Sequence, residues 1–282
     1  MLNTDPKQVY DRLVISVRKF FREAGRERAV VGLSGGIDSA VVLAIAVEAL
    51  GKENVHAILM PSPYSTLHSV TDAVELADNL EVKYSVVPIE GVFNKFSKEF
   101  ESLFGEEVNR LTRENLQARI RGVVLMAWSN QNGSLLLNTS NKSEIAMGYG
   151  TLYGDLTGAL MVLADIYKLQ VYSVARYINR NGIVIPDSII TKAPSAELSH
   201  DQKDSDSLPE YSVLDPVLHS LIEEKRSPAE LISSGTDISL VNRIVHLMNV
   251  SKFKGHQLPQ MIQVGDSPLL SREKCLFYEL NK

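Results

Sequence analysis

The sequence predicts an α/β fold in which a parallel sheet is covered by helices on both faces. Three observations carry that prediction. Short, continuously apolar runs alternate with helical stretches from residue 6 onward. The first run ends in Ser34-Gly35-Gly36, and the fourth ends in Asn138-Thr139-Ser140-Asn141. Polar loops therefore follow strands where an open parallel sheet takes its ligands.

Each element has its own signal. Thr4-Asp5-Pro6 reads as a helix start, with a capping side chain and a proline in the first turn, and Val9, Leu13, Val17, Phe20 and Ala24 form one apolar face of a helix over residues 6 to 24. Ala29 to Leu33 is rich in β-branched residues and too short for a helix, which marks a buried strand. The alternation repeats as a helix over 37 to 50 stopped by Gly51, a strand over 55 to 60, a helix over 65 to 80 and a strand over 82 to 87. Helical stretches near 92 to 104 and 112 to 130 lead to a fourth strand at Leu135-Leu136-Leu137, and a fifth strand is expected near 182 to 185. From Lys192 to Leu214 the composition turns to Pro, Ser, Asp and Glu without periodicity, the pattern of a functional lid or a disordered segment. Short helices return over 216 to 249, with Asp237 as a cap.

Composition excludes several classes. With 282 residues, 44% of them hydrophobic and 22% charged, the chain is neither disordered, collagenous nor coiled coil. The 29 basic and 34 acidic side chains leave a formal charge of -5, which offers no general attraction to nucleic acid or to an anionic membrane. No apolar run is long enough for a bilayer, and the N-terminus has no signal-peptide pattern, so a cytoplasmic protein is expected. Cys275 is the single cysteine, which rules out an internal disulfide or a zinc cluster and suggests a small apolar side chain.

Ser34-Gly35-Gly36-Ile37-Asp38-Ser39 joins a buried strand to a helix, and its adjacent glycines let backbone amides converge as a phosphate nest. It matches neither the Gly-Lys-Ser/Thr mononucleotide loop nor the three-glycine dinucleotide fingerprint. Asp38 inside a phosphate cradle would repel its ligand unless a divalent cation lay between them, and magnesium bound to ATP is the natural bridge. The plainer alternative makes Asp38 a residue favoured by the dipole of the first helical turn.

This loop resembles the pyrophosphate-binding loop of the ATP pyrophosphatase superfamily. Four further segments, in order, are similar to those of NAD synthetases: Glu114 to Arg121, Thr139 to Glu144, Tyr149 to Asp155, and Lys252-Phe253-Lys254 with Gln257-Leu258-Pro259. Pro194 to Leu198 and the acidic segment Asp201 to Tyr211 extend the resemblance to roughly residues 5 to 260. It implies a single domain over 1 to 282, of the Rossmann-like adenine nucleotide alpha hydrolase type, with strand order 3-2-1-4, a mobile lid at about 193 to 211 and a C-terminal tail from about 265 to 282.

The resemblance also implies a site. Gly32, Leu33, Ser34, Gly35, Gly36, Ile37, Asp38, Ser39, Thr139, Lys168 and Ser195 would bind ATP, with Asp38 and Lys168 catalytic and Asp38 and Glu144 holding magnesium. Asn115, Arg119, Glu144 and Lys254 would bind deamido-NAD. Arg119 and Arg121 lie two apart on a helix, so one of them is expected to enter the site. For Glu144 a helix-capping role with Asn141 or Ser140 stands as the alternative, and for Tyr149, Tyr153 and Trp128 both core packing and ring stacking stay open. The implied reaction forms NAD from deamido-NAD, ATP and ammonia through an acyl-adenylate. The ammonia would be free or come from a separate glutaminase subunit, and the chain would work as a homodimer, its contact offered by apolar faces with Val92, Phe96, Phe100, Leu116, Ile120 and Val124, for some of which core packing stays the alternative. Two alternatives remain: an adenylating enzyme for another nucleotide, and a non-catalytic ATP-binding module.

Overall fold

The computed structural model describes residues 4–265 except 201, together with 267 and 269. In chain order it consists of α1 (Pro6–Glu23), β1 (Ala29–Gly32), α2 (Ile37–Leu50), β2 (Val55–Leu59), α3 (Leu67–Asn79), β3 (Lys83–Val86), α4 (Glu90–Phe104), α5 (Arg110–Asn132), β4 (Leu135–Asn138), α6 (Lys142–Met147), β5 (Leu160–Met161), α7 (Lys168–Ile178), α8 (Asp187–Thr191), α9 (Tyr211–Ile222), α10 (Pro228–Ser233), α11 (Ile238–Ser251) and β6 (Gln260–Met261).

All described strand pairings are parallel, and the sheet order is β3-β2-β1-β4-β5-β6. Ala29 of β1 sits opposite Val55 on one side and Leu135 on the other, so the chain reverses its direction of progress at β1 and β4. The crevice at that reversal is where the loops after β1 and β4 meet.

Burial explains the layering. α1, α2 and α7 pack on one face of the sheet in a cluster that includes Leu13, Val41, Ile45, Leu137 and Val171. α2 is apolar around its whole circumference and is buried from Ala40 to Ala46, as such a helix must be. On the opposite face α4 and α5 cover Val30, Ile58 and Leu136 with Phe93, Ile120 and Leu125. A third cluster joins α6, α9, α10 and α11 beside the sheet. Among the described residues no helix is long and apolar enough to cross a membrane.

The first four strands lie where the sequence indicates, and Asp5 and Asp237 cap α1 and α11. Two expectations fail. The buried face of α1 uses Val14 and Phe21, with Phe20 only packed against it, because a 3.6-residue period carries the stripe past Val17 to Phe21. Residues 182 to 185 form no strand: Asn179 donates to Ile185 O at 2.7 Å and accepts from the amides of Val184 and Ile185 at 3.0 and 2.9 Å. One side chain thus satisfies the backbone groups that a neighbouring strand would have paired. The fifth and sixth strands are two-residue segments at β5 and β6, too short to show a period in sequence. Cys275 and most of the expected tail lie outside the described residues.

Candidate functional site

The loop after β1 is shaped by its glycines and serines. Gly35 has φ +79°, and a β-carbon there would approach Ser69 O to 2.2 Å, so only glycine fits. Ser39 Oγ donates to Gly36 O at 2.9 Å, and Gly36 N donates to Ser34 Oγ at 3.2 Å, which curls the loop over the start of α2. No side chain caps that helix, leaving its positive end for a ligand. A pocket opens directly above, lined by Gly32, Leu33, Ser34, Gly36, Ile37, Asp38, Ser39, Thr139, Glu144, Lys168 and Ser195. Every residue expected at the ATP site except Gly35 is on that wall, and Gly35 is the turn that forms it.

Three charged groups meet at its centre. Lys168, whose side chain is 3% exposed, places Nζ 2.5 Å from Asp38 Oδ2 and 3.1 Å from Glu144 Oε1. Asn141 donates from Nδ2 to Asp38 Oδ1 at 2.9 Å. Glu144 caps α6, its Oε2 accepting from Asn141 N at 3.3 Å, while its Oε1 faces Lys168 in the pocket. Burial pushes the Glu144 carboxyl up to about 8 against the pull of Lys168. Burial opposes the Lys168 ammonium, but Asp38 and Glu144 more than offset it and raise its pKa.

The donor chemistry suits magnesium carried by a nucleotide. Asp38 and Glu144 face each other across the Lys168 ammonium, and magnesium is commonly held by one or two carboxylates with phosphate and water oxygens completing its shell. Among the described residues no group of three or more His, Cys, Asp or Glu is arranged to hold a metal, so these residues form no closed cage.

Residues 193 to 198 form one wall of the pocket. Glu197, in the left-handed region at φ 48°, accepts from Thr66 Oγ1 at 3.2 Å and from Ser69 Oγ, both at the start of α3. Gln117 donates to Leu198 O at 2.9 Å. Ser195 lines the pocket, yet its hydroxyl donates to Gln202 O at 2.5 Å, so in this state it braces its own loop.

The sequence does not mark Asp204, because nothing in an irregular acidic segment distinguishes one carboxylate from the next. It lines the pocket, accepts from Tyr149 Oη at 3.2 Å and Tyr211 Oη at 2.9 Å, and burial raises its pKa despite nearby Lys168. Of Arg119 and Arg121 on α5, Arg121 enters this pocket, donating from Nε to Met60 O at 3.1 Å, and burial lowers its pKa to about 10. Arg119 does not line this pocket.

Asn115, Arg119 and Lys254 gather around the loop 148 to 155, outside the pocket. Thr151 Oγ1 donates to Asn115 Oδ1 at 2.7 Å, Arg119 Nε to Leu152 O at 3.3 Å, and Lys254 Nζ to Gly148 O and Gly150 O, each at 2.7 Å. Glu144 and Tyr149 belong to both regions, lining the ATP-type pocket and a small cavity with Lys254. Trp128 stacks on His56 with centroids 4.1 Å apart, so that ring is committed within the protein. Tyr153 is exposed and bonds Gln257.

A family model described as NAD synthase matches residues 9–258. A glutamine-dependent NAD(+) synthetase from Synechocystis sp. is 47% identical over 262 residues, covering 93% of this chain and 47% of that protein. The structure of a glutamine-dependent NAD+ synthetase from Acinetobacter baumannii in complex with ADP is similar at 38% identity and a TM-score of 0.65, over 97% of this chain and 50% of that one. An NH3-dependent NAD synthetase from Campylobacter jejuni matches at 30% identity and a TM-score of 0.74, over 92% of this chain and 100% of that one. The chain thus spans about half the length of the curated relatives it matches.

Proposed function

The chain belongs to the NAD synthase family, and from that membership and the pocket's geometry we propose that it is a cytoplasmic ATP-dependent carbon–nitrogen ligase making NAD from deamido-NAD and ammonia. The observation that carries the reading is the meeting of Lys168, Asp38 and Glu144 beside the glycine loop at the sheet's reversal point.

In the first step a carboxylate oxygen of deamido-NAD forms a bond to the α-phosphorus of ATP, the bond from that phosphorus to the bridging oxygen breaks, and pyrophosphate leaves. In the second, ammonia adds to the acyl carbon of the adenylate, AMP departs, and a proton is lost to give the amide. The loop after β1 holds the phosphates by backbone amides and the Ser34 and Ser39 hydroxyls. Lys168 neutralises charge that builds on the leaving pyrophosphate. Asp38 and Glu144 would hold magnesium, which when bound supplies further neutralisation and orientation of the phosphates. Thr139 and Ser195 flank the nucleotide, and Asn115, Arg119 and Lys254 take deamido-NAD across the loop 148 to 155, so that its reacting carboxylate reaches the pocket past Glu144 and Tyr149. Residues 193 to 211 act as a lid that keeps water from the adenylate. The chain acts as a homodimer and takes ammonia free or from a separate glutaminase.

The decisive experiment is pyrophosphate release from ATP, magnesium and ammonium on addition of deamido-NAD. Release with matching NAD formation is expected. Release only with a different carboxylate-bearing nucleotide would move the chain to another adenylating activity, and ATP binding without release would make it a non-catalytic module.

A further inference from the structure

The start of α7, which carries Lys168, is capped by two other helices. Tyr167 precedes the helix and gives no side-chain bond to its first amides. Instead Lys168 N donates to Ser143 Oγ at 3.0 Å, and Leu169 N donates to Asp215 Oδ2 at 2.9 Å. Ser143 Oγ in turn donates to Asp215 Oδ1 at 2.6 Å. Ser143 and Asp215 are completely buried and Lys168 nearly so, while Leu169 is half-buried.

The arrangement ties three helices at one point. Ser143 precedes Glu144 on α6, Asp215 lies within α9, and the amides they bind belong to Lys168 and its neighbour on α7. An ordinary N-cap side chain would secure α7 to itself alone. A cap borrowed from α6 and α9 also fixes the origin of the Lys168 side chain relative to the Glu144 carboxylate. Orphan amides at a buried helix start must find acceptors, so this bond pattern has no slack: moving either helix strands a donor.

We propose that Asp215 and Ser143 are positioning residues that set the place of the Lys168 ammonium between Asp38 and Glu144, and through it the binding and reaction of the ATP triphosphate. The proposal rests on the functional reading above. Neither residue touches the nucleotide; both act through Lys168. It is the geometry of two acceptors that matters, since an asparagine in place of Asp215 can still accept from Leu169 N and donate to Ser143 Oγ.

The test is a double-mutant cycle between Asp215→Ala and Lys168→Met, read both as ATP affinity by calorimetry and as the rate of pyrophosphate release. Asp215→Ala should weaken ATP binding and slow release at least tenfold in the wild-type background, and change neither by more than about twofold when Lys168 is already Met. Asp215→Asn should recover most of both. The same fractional loss from Asp215→Ala in both backgrounds, or no loss in a folded Asp215→Ala chain, would overturn the proposal. Should Asp215→Ala fail to melt cooperatively, Ser143→Ala enters the cycle in its place with the same expectations. A wild-type chain that binds ATP but does not turn over deamido-NAD would defeat the functional reading alone, because the affinity cycle still judges the positioning.

Discussion

Lys168 Nζ lies 2.5 Å from Asp38 Oδ2, joining the first turn of α2 to the start of α7 across 130 residues of sequence. The Lys168 end of the contact is buried and the Asp38 end half-buried, and Glu144 provides the same ammonium with a second carboxylate at 3.1 Å. Removing one partner of a buried pair usually costs about 3–5 kcal/mol because the other charge is left alone. Here Asp38→Asn leaves Lys168 paired with Glu144, so the chain should stay folded with a loss of about 1–2 kcal/mol. Pyrophosphate release should nevertheless fall by about a hundredfold or more, and its dependence on magnesium should disappear. Wild-type turnover in Asp38→Asn would refute the metal assignment, and Glu144→Gln should behave alike.

The wall formed by residues 193 to 198 hangs on few bonds. Glu197 holds an unfavourable backbone conformation through its contacts with Thr66 and Ser69, and Gln117 secures Leu198 from α5. Limited proteolysis should cut within 193 to 211 in the free chain and be slowed by ATP with deamido-NAD. Glu197→Ala should raise the cutting rate of the free chain several-fold. Equal cutting with and without ligands would rule out a lid.

Much of this site is legible in sequence for a physical reason. Phosphate loops, caps and strand ends are local, so the residues from Ser34 to Ser39 and from Asn141 to Glu144 announce their backbone shape by themselves. What is not legible is set by distant partners. Asp204 is distinguished only by two tyrosines that the fold brings to it, Arg121 is separated from Arg119 only by the direction α5 faces, and β5 and β6 exist only because a sheet edge is available to pair with them. The Ser143 to Asp215 bond spans 72 residues and leaves no pattern in either segment.

α4 presents Val92, Phe96, Leu103 and Phe104 to solvent, and the rings of Phe96, Phe100 and Phe104 stack in series with centroids 6.1 and 5.8 Å apart. Of the residues expected at a dimer contact, Ile120 is instead buried in the core, with Leu116 and Val124 packed against that cluster. The contact should therefore centre on α4. Light scattering at micromolar concentration should give a dimer mass, and Phe96→Asp with Phe104→Asp should give a folded monomer. A monomeric wild-type chain would dispose of the idea.

Asp215 has a consequence for pH. Burial raises its carboxyl to about 6 from the ordinary 3.8, although its bonds to Ser143 and Leu169 N pull down. The folded chain therefore holds this proton more tightly than the unfolded one, and the stability it contributes is present in full below 3.8 and lost as pH rises through about 6. The gap amounts to about 2–3 kcal/mol. Asp215→Asn is free of that loss, so its melting temperature relative to the wild type should climb by roughly 5 °C between pH 4 and pH 8. A constant difference across the range would show that Asp215 is ionised throughout.

The nitrogen source is the last expectation. Taking ammonia from glutamine requires an activated nucleophile with a positioned base to hydrolyse the side-chain amide. The sequence has one cysteine, Cys275, and the family match covers residues 9–258, the portion that carries the nucleotide pocket. The curated relatives that resemble it are glutamine-dependent and about twice as long. The purified 282-residue chain should accordingly make NAD from deamido-NAD, ATP and ammonium, and make none with ammonia-free glutamine. Only neutral ammonia carries the lone pair that attacks the adenylate, so at fixed total ammonium the rate should rise with pH in proportion to the neutral fraction until another group titrates. Comparable rates with both donors would place an amidase in this chain, and synthesis from glutamine restored only by a second purified protein would identify a separate glutaminase partner.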